Sequence, residues 1–356
     1  MHSTDLHLEP NEASDLARVF DDDTRARFGW DRAFVTVLDE AAAEDCLALL
    51  VHGAGEPLDH GWEAVRVHAD PGGDGGRTED AEACAVHDGH VYVLGSQFGE
   101  KAGPLTARRS WIARVREEDL AGAPGGQRVP MELSRLRFGL HRAVNDALTR
   151  AAVQLLPLGP RSRAAYVDAT IAHGAAENKR WAGRVGSADQ PINVEAAEFR
   201  ADGRLLLGLR YPVTADGHPL LVEVHDLEQL FADPDAAPRC GNVWVLGDAG
   251  DADAPAGLRG LDTRGGDRFD AIVGDLDAAG KSATVLDDHP QGGNAHSQHI
   301  RFELPLTAGG GQVTSERVHD FGELRRVEGV AVDAGGHAHY VVDEEGHVGL
   351  RTLVFE

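Results

Sequence analysis

Four stretches of the chain share one plan, and that repetition constrains the fold more than any composition value does. They are AEACAVHDGHVYVLGS (81–96), VEAAEFRADGRLLLGLR (194–210), LRGLDTRGGDRFDAIVGD (258–275) and VEGVAVDAGGHAHYVVDEEG (327–346). Each sets two apolar runs around a turn glycine, Gly89, Gly203, Gly266 or Gly336, within an Asp-Gly or Gly-Gly dipeptide. Such dipeptides supply the positive φ that tight hairpin turns demand. A charged residue opens each first strand (Glu82, Glu195, Arg259, Glu328), and a polar residue closes each second one (Ser96, Arg210, Asp275, Asp343). Antiparallel strands of equal length return to the level where they began, so start and finish are neighbours. Hairpins set around an axis would deliver all these polar pairs to one face, at the mouth of a central channel. The predicted fold is therefore all-β, a β-propeller.

Further strands are read at 31–40, 45–53, 219–227, 241–248, 282–288 and 299–306, with 349–355 closing a blade against N-terminal residues. Dividing the β part by the roughly 40 to 50 residues a blade needs gives about six blades. One region breaks the pattern. From Met131 to Gly174, Leu140, Val144, Leu148, Ala151 and Leu155 recur at helical spacing, Pro157 and Pro160 are read as ending that helix, and a weaker helix runs through 161–172. The expectation is one domain over 1–356 with a helical insertion at 131–174, either a lid over the channel or a packing element.

Charge narrows the partners. Asp and Glu number 59 against 34 Lys and Arg, a formal charge of −25. That argues against nucleic acid and anionic membrane surfaces, which need basic patches, and favours a small polar molecule or another protein. Cys46, Cys84 and Cys240 are far apart and form no CxxC pair. No basic n-region followed by an apolar run opens the chain, and no apolar stretch reaches membrane-spanning length. A reducing, cytoplasmic setting is the expectation.

AEACAV with VLGS, VEAAEF with LLLGLRYP, GLRGLDT, and VEGVAV with VVDEEG together resemble a bacterial propeller family described only as a domain of unknown function, akin in architecture to esterase-like phytase propellers. The chain departs from that pattern at Glu82-Ala83 and Glu195-Ala196, where the family carries Glu-Gly, and at Gln97, where it commonly carries His. The resemblance implies the fold more than an activity.

The inferred ring gathers Glu82, Glu195, Glu328 and Asp343, with Ser96, Arg210 and Arg259 at matching levels and Asp39 joining from the first blade. Carboxylates focused into one channel raise one another's pKa unless a cation balances them. Two solutions exist. A hard ion such as Ca²⁺ or Mg²⁺ could take oxygens from Glu82, Asp343 and Asp39, or Arg210 and Arg259 could pair with the carboxylates directly. The functional reading is a pocket for a small polar or anionic molecule, with Arg210, Arg259 and Ser96 binding it. Glu195 and Glu328 would then be catalytic in metal-assisted hydrolysis of an ester, lactone or phosphoester, with no organic cofactor. The alternative is a non-catalytic propeller that binds a ligand or protein, its ring a structural ion-pair network. Ser96 lacks the Gly-x-Ser-x-Gly elbow of a nucleophile. His289, His296 and His299 read as a solvated loop rather than a metal site.

Overall fold

The computed structural model describes residues 1–8, 12–39, 41–72, 77–100, 102–233, 235–277, 284–306, 309–344 and 347–355. All four hairpins form: Ala81–His87 with His90–Gly95, Asn193–Phe199 with Leu205–Tyr211, Gly257–Thr263 with Arg268–Gly274, and Val327–Val332 with Ala338–Glu344. Asp88 and Gly89 take φ of 46° and 69°, as a tight primed turn requires. A fifth pair, Ala13–Arg18 with Trp30–Leu38, occupies the equivalent place. Its connection holds the helix Asp22–Phe28 instead of a two-residue turn, so it carries no Gly signal in the sequence.

Two more strands extend each pair outward. Leu47–Gly53 and Trp62–Val67 complete the first unit, Trp111–Arg116 and Val129–Arg135 the second, Leu220–His225 and Arg239–Gly247 the third, and Gln298–Glu303 and Gly311–Asp320 the fourth. The fifth is completed by His347–Leu353 and by the N-terminal strand His2–Leu6, which closes the ring as the 349–355 reading anticipated. At the rim, Arg239–Gly247 and Gly311–Asp320 pair in parallel, joining the third and fourth units. Each innermost strand packs on the next, and the last returns to the first. The fold is a β-propeller. Among the described residues there are five such units, against the about six that length alone suggests; the helices and long connections take up the difference.

Both faces of each sheet are covered by neighbouring units, so inner strands are buried along nearly their whole length rather than in alternation. Asn193–Phe199 is buried throughout, and Leu206, Leu221, Trp244, Leu258 and Phe269 fill the space between the third and fourth units. The inner strands approach closely at Gly260 and Gly329. A Cβ on Gly329 would lie 2.6 Å from the Leu16 nitrogen, and one on Gly260 2.8 Å from the Glu328 carbonyl oxygen. Gly329→Ala is expected to cost about 1–3 kcal/mol in urea denaturation, as overpacking does. An unchanged midpoint would mean that the ring relaxes freely.

The insertion differs from its expected bounds. Residues 131–135 belong to the fourth strand of the second unit, and the helix runs Gly139–Arg150. Leu140, Val144 and Leu148 form its buried face, but Ala152 has φ of 53° and the helix is over before Leu155. Pro160 opens the next helix, where its missing N–H costs nothing, rather than ending the first. That helix, Pro160–Ser162, continues through a π-turn, Arg163–Asp168, into Ala169–Ala176. Phe138, Tyr166 and Trp181 pack with Tyr211, Val213 and Leu276 of the third and fourth units. Residues 284–288 of the expected strand 282–288 form a short helix, while 282–283 lie outside the described residues; so short an apolar run does not distinguish the two. Among the described residues no helix is long and apolar enough to cross a membrane.

Candidate functional site

Near the start of every inner strand the register passes over one residue, and in Asn193–Phe199 a further slip falls between Asn193 and Val194. The slips fall between Ala13 and Asp15, Ala81 and Ala83, Val194 and Ala196, Leu258 and Gly260, and Val327 and Gly329. The residues passed over are Ser14, Glu82, Glu195, Arg259 and Glu328. A β-bulge takes its extra residue out of the alternation and re-aims the side chain. All five line one cavity of about 940 Å³. The repeated charged position in the sequence is therefore a repeated bulge, and the bulge is what turns it toward the axis.

Asp39, Arg210 and Asp343 line the same cavity. Ser96 does not: it is buried behind the wall, donates a hydrogen bond to the Asp80 carboxylate and accepts one from the Phe98 N–H at 3.1 Å. Its expected ligand-binding place is thus corrected to one that holds Asp80. The structure adds lining residues outside the expected ring, notably Asp80, Arg109, Asn193 and Asp275. Asp80 directly precedes the AEACAV strand, and Asp275 ends the third repeated hairpin, so their positions were visible although their convergence was not.

The cavity wall divides into two halves. On one, Arg210 donates from Nη1 to Glu195 at 2.7 Å, from Nη2 to the Asp275 carboxylate at 3.1 Å and from Nε to the Asp275 carbonyl at 3.1 Å. Arg259 donates from Nη1 to Asp275 at 2.7 Å and grips Glu328 with Nε (2.7 Å) and Nη2. These pairs tie the third, fourth and fifth units together. Burial opposes the charge on Arg210, but Glu195, Asp275 and Asp277 outweigh it and raise its pKa. Burial and the Arg210 charge together pull the Arg259 pKa down. Each nitrogen of both guanidiniums already donates, to a carboxylate or, from Arg210 Nε, to the Asp275 carbonyl, so the geometry shows the direct pairing that the sequence offered beside anion binding. Glu328, expected to be catalytic, gives both oxygens to Arg259.

On the other half, ligand oxygens of Asp39, Asp80 and Glu82 lie within 4.8 Å of one another. Asp80 is held by Arg109 at 2.8 Å as well as by Ser96. Burial, then the charges of Asp39, Glu195 and Asp80, push the Glu82 carboxyl well above the usual range, against a hydrogen bond from Ser14. Asp343, grouped with Asp39 and Glu82 in the sequence reading, stands apart beside Arg326 at 3.3 Å. Asp80 takes the third place in the cluster. The histidine loop does not converge: the His289 ring contacts the Pro157 carbonyl, while His299 is buried between Asp270 (2.9 Å) and Tyr340 (2.8 Å).

Further along the inner strands sits a second set of buried acids. Glu198 accepts the Thr263 N–H at 3.1 Å and Asp262 the Val332 N–H at 2.9 Å, each reaching the last residue of the next inner strand. Asp15 accepts from the N–H groups of Leu16 (2.8 Å) and Cys84 (2.9 Å). Burial raises the pKa of all three, that of Asp262 to about 8.

No protein-family model matches the chain, and no curated protein matches it. Among solved structures it is similar to a GH43 endo-arabinanase from Bacillus licheniformis, at 10% identity over 97% of this chain and 95% of that one, with a TM-score of 0.41. Similar too are the Cellvibrio cellulosa α-L-arabinanase complexed with arabinohexaose (11% identity, 96% and 91% covered, TM-score 0.39) and the WD40 β-propeller domain of Doa1 (9%, 99% and 96%, TM-score 0.35). At these identities and scores the likenesses assign neither substrate nor activity to this chain.

Proposed function

We propose that the central cavity holds a hard divalent cation, Ca²⁺ or Mg²⁺, at Asp39, Asp80 and Glu82, and hydrolyses an ester or lactone beside it. The observation that supports this is the convergence of the three carboxylates within 4.8 Å on one cavity wall. Oxygen-only donors on two successive units suit a hard ion. Such an ion, when bound, polarises a carbonyl and lowers the pKa of a water it holds. The protein's own part is positioning: Arg109 and Ser96 orient Asp80, and Ser14 orients Glu82. Glu195 is held by Arg210 through Oε1 and is the ligand-facing group of the opposite wall. Phosphoesters fit less well than uncharged esters, since carboxylates outnumber arginines around the cavity.

A second reading, a binding propeller without catalysis, is favoured by one observation. The Glu195–Arg210–Asp275–Arg259–Glu328 chain of ion pairs has the form of a structural network. Metal response separates the readings. After chelation and dialysis, Ca²⁺ or Mn²⁺ is expected to raise the melting temperature of the wild type and not of Asp39→Asn or Glu82→Gln. No response in the wild type, together with no stoichiometric metal by elemental analysis, sinks the cation mechanism and leaves the second reading.

A further inference from the structure

Glu195 is 4% exposed and Asn193 9%, and both stand on the same inner strand, lining the cavity. Asn193 Nδ2 donates to Glu195 Oε1 at 2.8 Å. A carboxylate only accepts, so this contact fixes the amide orientation and leaves the Asn193 Oδ1 acceptor on the other side. That Oδ1 and Glu195 Oε2 are both buried without a hydrogen-bond partner. Arg259 Nε stands 3.9 Å from Glu195 Oε2, beyond hydrogen-bond reach. A buried acceptor left unmade costs about 1–3 kcal/mol, more when it is charged. Two such acceptors on one strand, carried by residues that line one cavity, amount to a site that is short of donors.

The charge around them has the same sign. Among the described lining residues ten carboxylates face five arginines. The arginines are engaged: Arg109 with Asp80, Arg210 and Arg259 within the network above, Arg326 with Asp343, and Arg325 with the Gly293 carbonyl. Phe98, Tyr166 and Tyr211 contribute aromatic wall to the same space. Cations are favoured over aromatic faces, and low-dielectric walls of one sign focus the opposite charge.

We infer that the cavity selects a ligand bearing a positively charged donor group, a primary or secondary ammonium, which donates to Glu195 Oε2 and Asn193 Oδ1. This names the substrate's charge for the hydrolytic reading above. It rests on that reading for the chemistry but not for binding, so it is tested with the metal removed. The full-length protein in EDTA is titrated calorimetrically with ethanolamine, ethylene glycol and glycolate, which share one hydroxyethyl-type frame and differ in charge. Ethanolamine is expected to bind, and glycolate and ethylene glycol to bind more weakly or not at all. In Glu195→Gln its dissociation constant should rise at least about tenfold, the loss of one charge-assisted hydrogen bond. Asn193→Ala, which keeps the Glu195–Arg210 pair, should weaken it in the same direction and serves if the first variant misfolds. Three outcomes overturn the inference: no probe binds, glycolate or ethylene glycol binds as well as ethanolamine, or ethanolamine binds the wild type and a folded variant equally. The last is diffuse attraction to a chain of net charge −25. Failure of the metal response with success here would remove the hydrolytic mechanism and keep the ammonium site.

Discussion

Arg259→Leu is expected to lower the unfolding free energy by about 3–5 kcal/mol, the range for removing one partner of a buried ion pair. Arg259 is 4% exposed and neutralises Glu328 and Asp275 at once. Its loss strands Glu328, 6% exposed, without its guanidinium, while Asp275 retains Arg210. The double replacement Arg259→Leu with Glu328→Leu should recover part of the loss, because exchanging a whole buried pair for apolar groups of similar size is often near neutral. Urea denaturation at neutral pH reads both. A single-variant cost below about 1 kcal/mol, the worth of a surface pair, would show that the arginine half contributes little to holding the third, fourth and fifth units together.

The second large effect is on pH dependence. In the fold Asp262 keeps its proton up to about pH 8, chiefly because burial penalises the charged form, with Asp270 adding repulsion and the Val332 N–H and Arg18 opposing it. Glu198 and Asp15 are raised for the same leading reason. The unfolded chain releases these protons near the ordinary carboxylate range, so from about pH 4 to pH 8 the native state binds more protons than the unfolded state. Stability therefore falls as pH rises through that window, and Asp262 alone contributes on the order of 5 kcal/mol of that fall. Asp262→Asn keeps an acceptor for the Val332 N–H without a titrating proton. It should flatten the slope and be more stable than the wild type above pH 8. Unfolding free energies at a series of pH values decide it, and equal slopes for wild type and variant would refute the assignment. At acid pH the sign reverses. Asp333, held by His339, His337 and Arg32 far below the usual carboxylate range, and Asp270, lowered by His299, favour the fold above the ordinary carboxylate pKa and lose that contribution as they protonate.

Much of the site could be read before the fold was in view, for a physical reason. Glu82, Glu195, Arg259 and Glu328 share one position in a repeated hairpin, and a repeat in sequence becomes a ring in space. Ser14 was missed because its hairpin has a helix in place of the glycine turn, and Asp39 was taken as the first unit's contribution; both line the cavity. Ser96 was misplaced because a strand's last residue can face either side, and here it turns away from the cavity to bond Asp80. Asp343 was grouped with Asp39 and Glu82 because level around a ring says nothing about distance across it. The insertion bounds slipped where a strand, Val129–Arg135, lay inside a stretch read for its helical spacing.

Turn chemistry and apolar runs act over a few residues, so the hairpins, their polar ends and the acidic character are legible in the chain. Which charges meet depends on how the units pack. Arg210 and Arg259 could have bound an anion or a carboxylate, and the choice was made by bulges that set each side chain's aim and by the spacing between neighbouring units. The same packing left Asn193 Oδ1 and Glu195 Oε2 without donors and buried Glu198 and Asp262 against the next strand's amides. Those outcomes depend on distances between segments far apart in the chain, which local pattern does not encode.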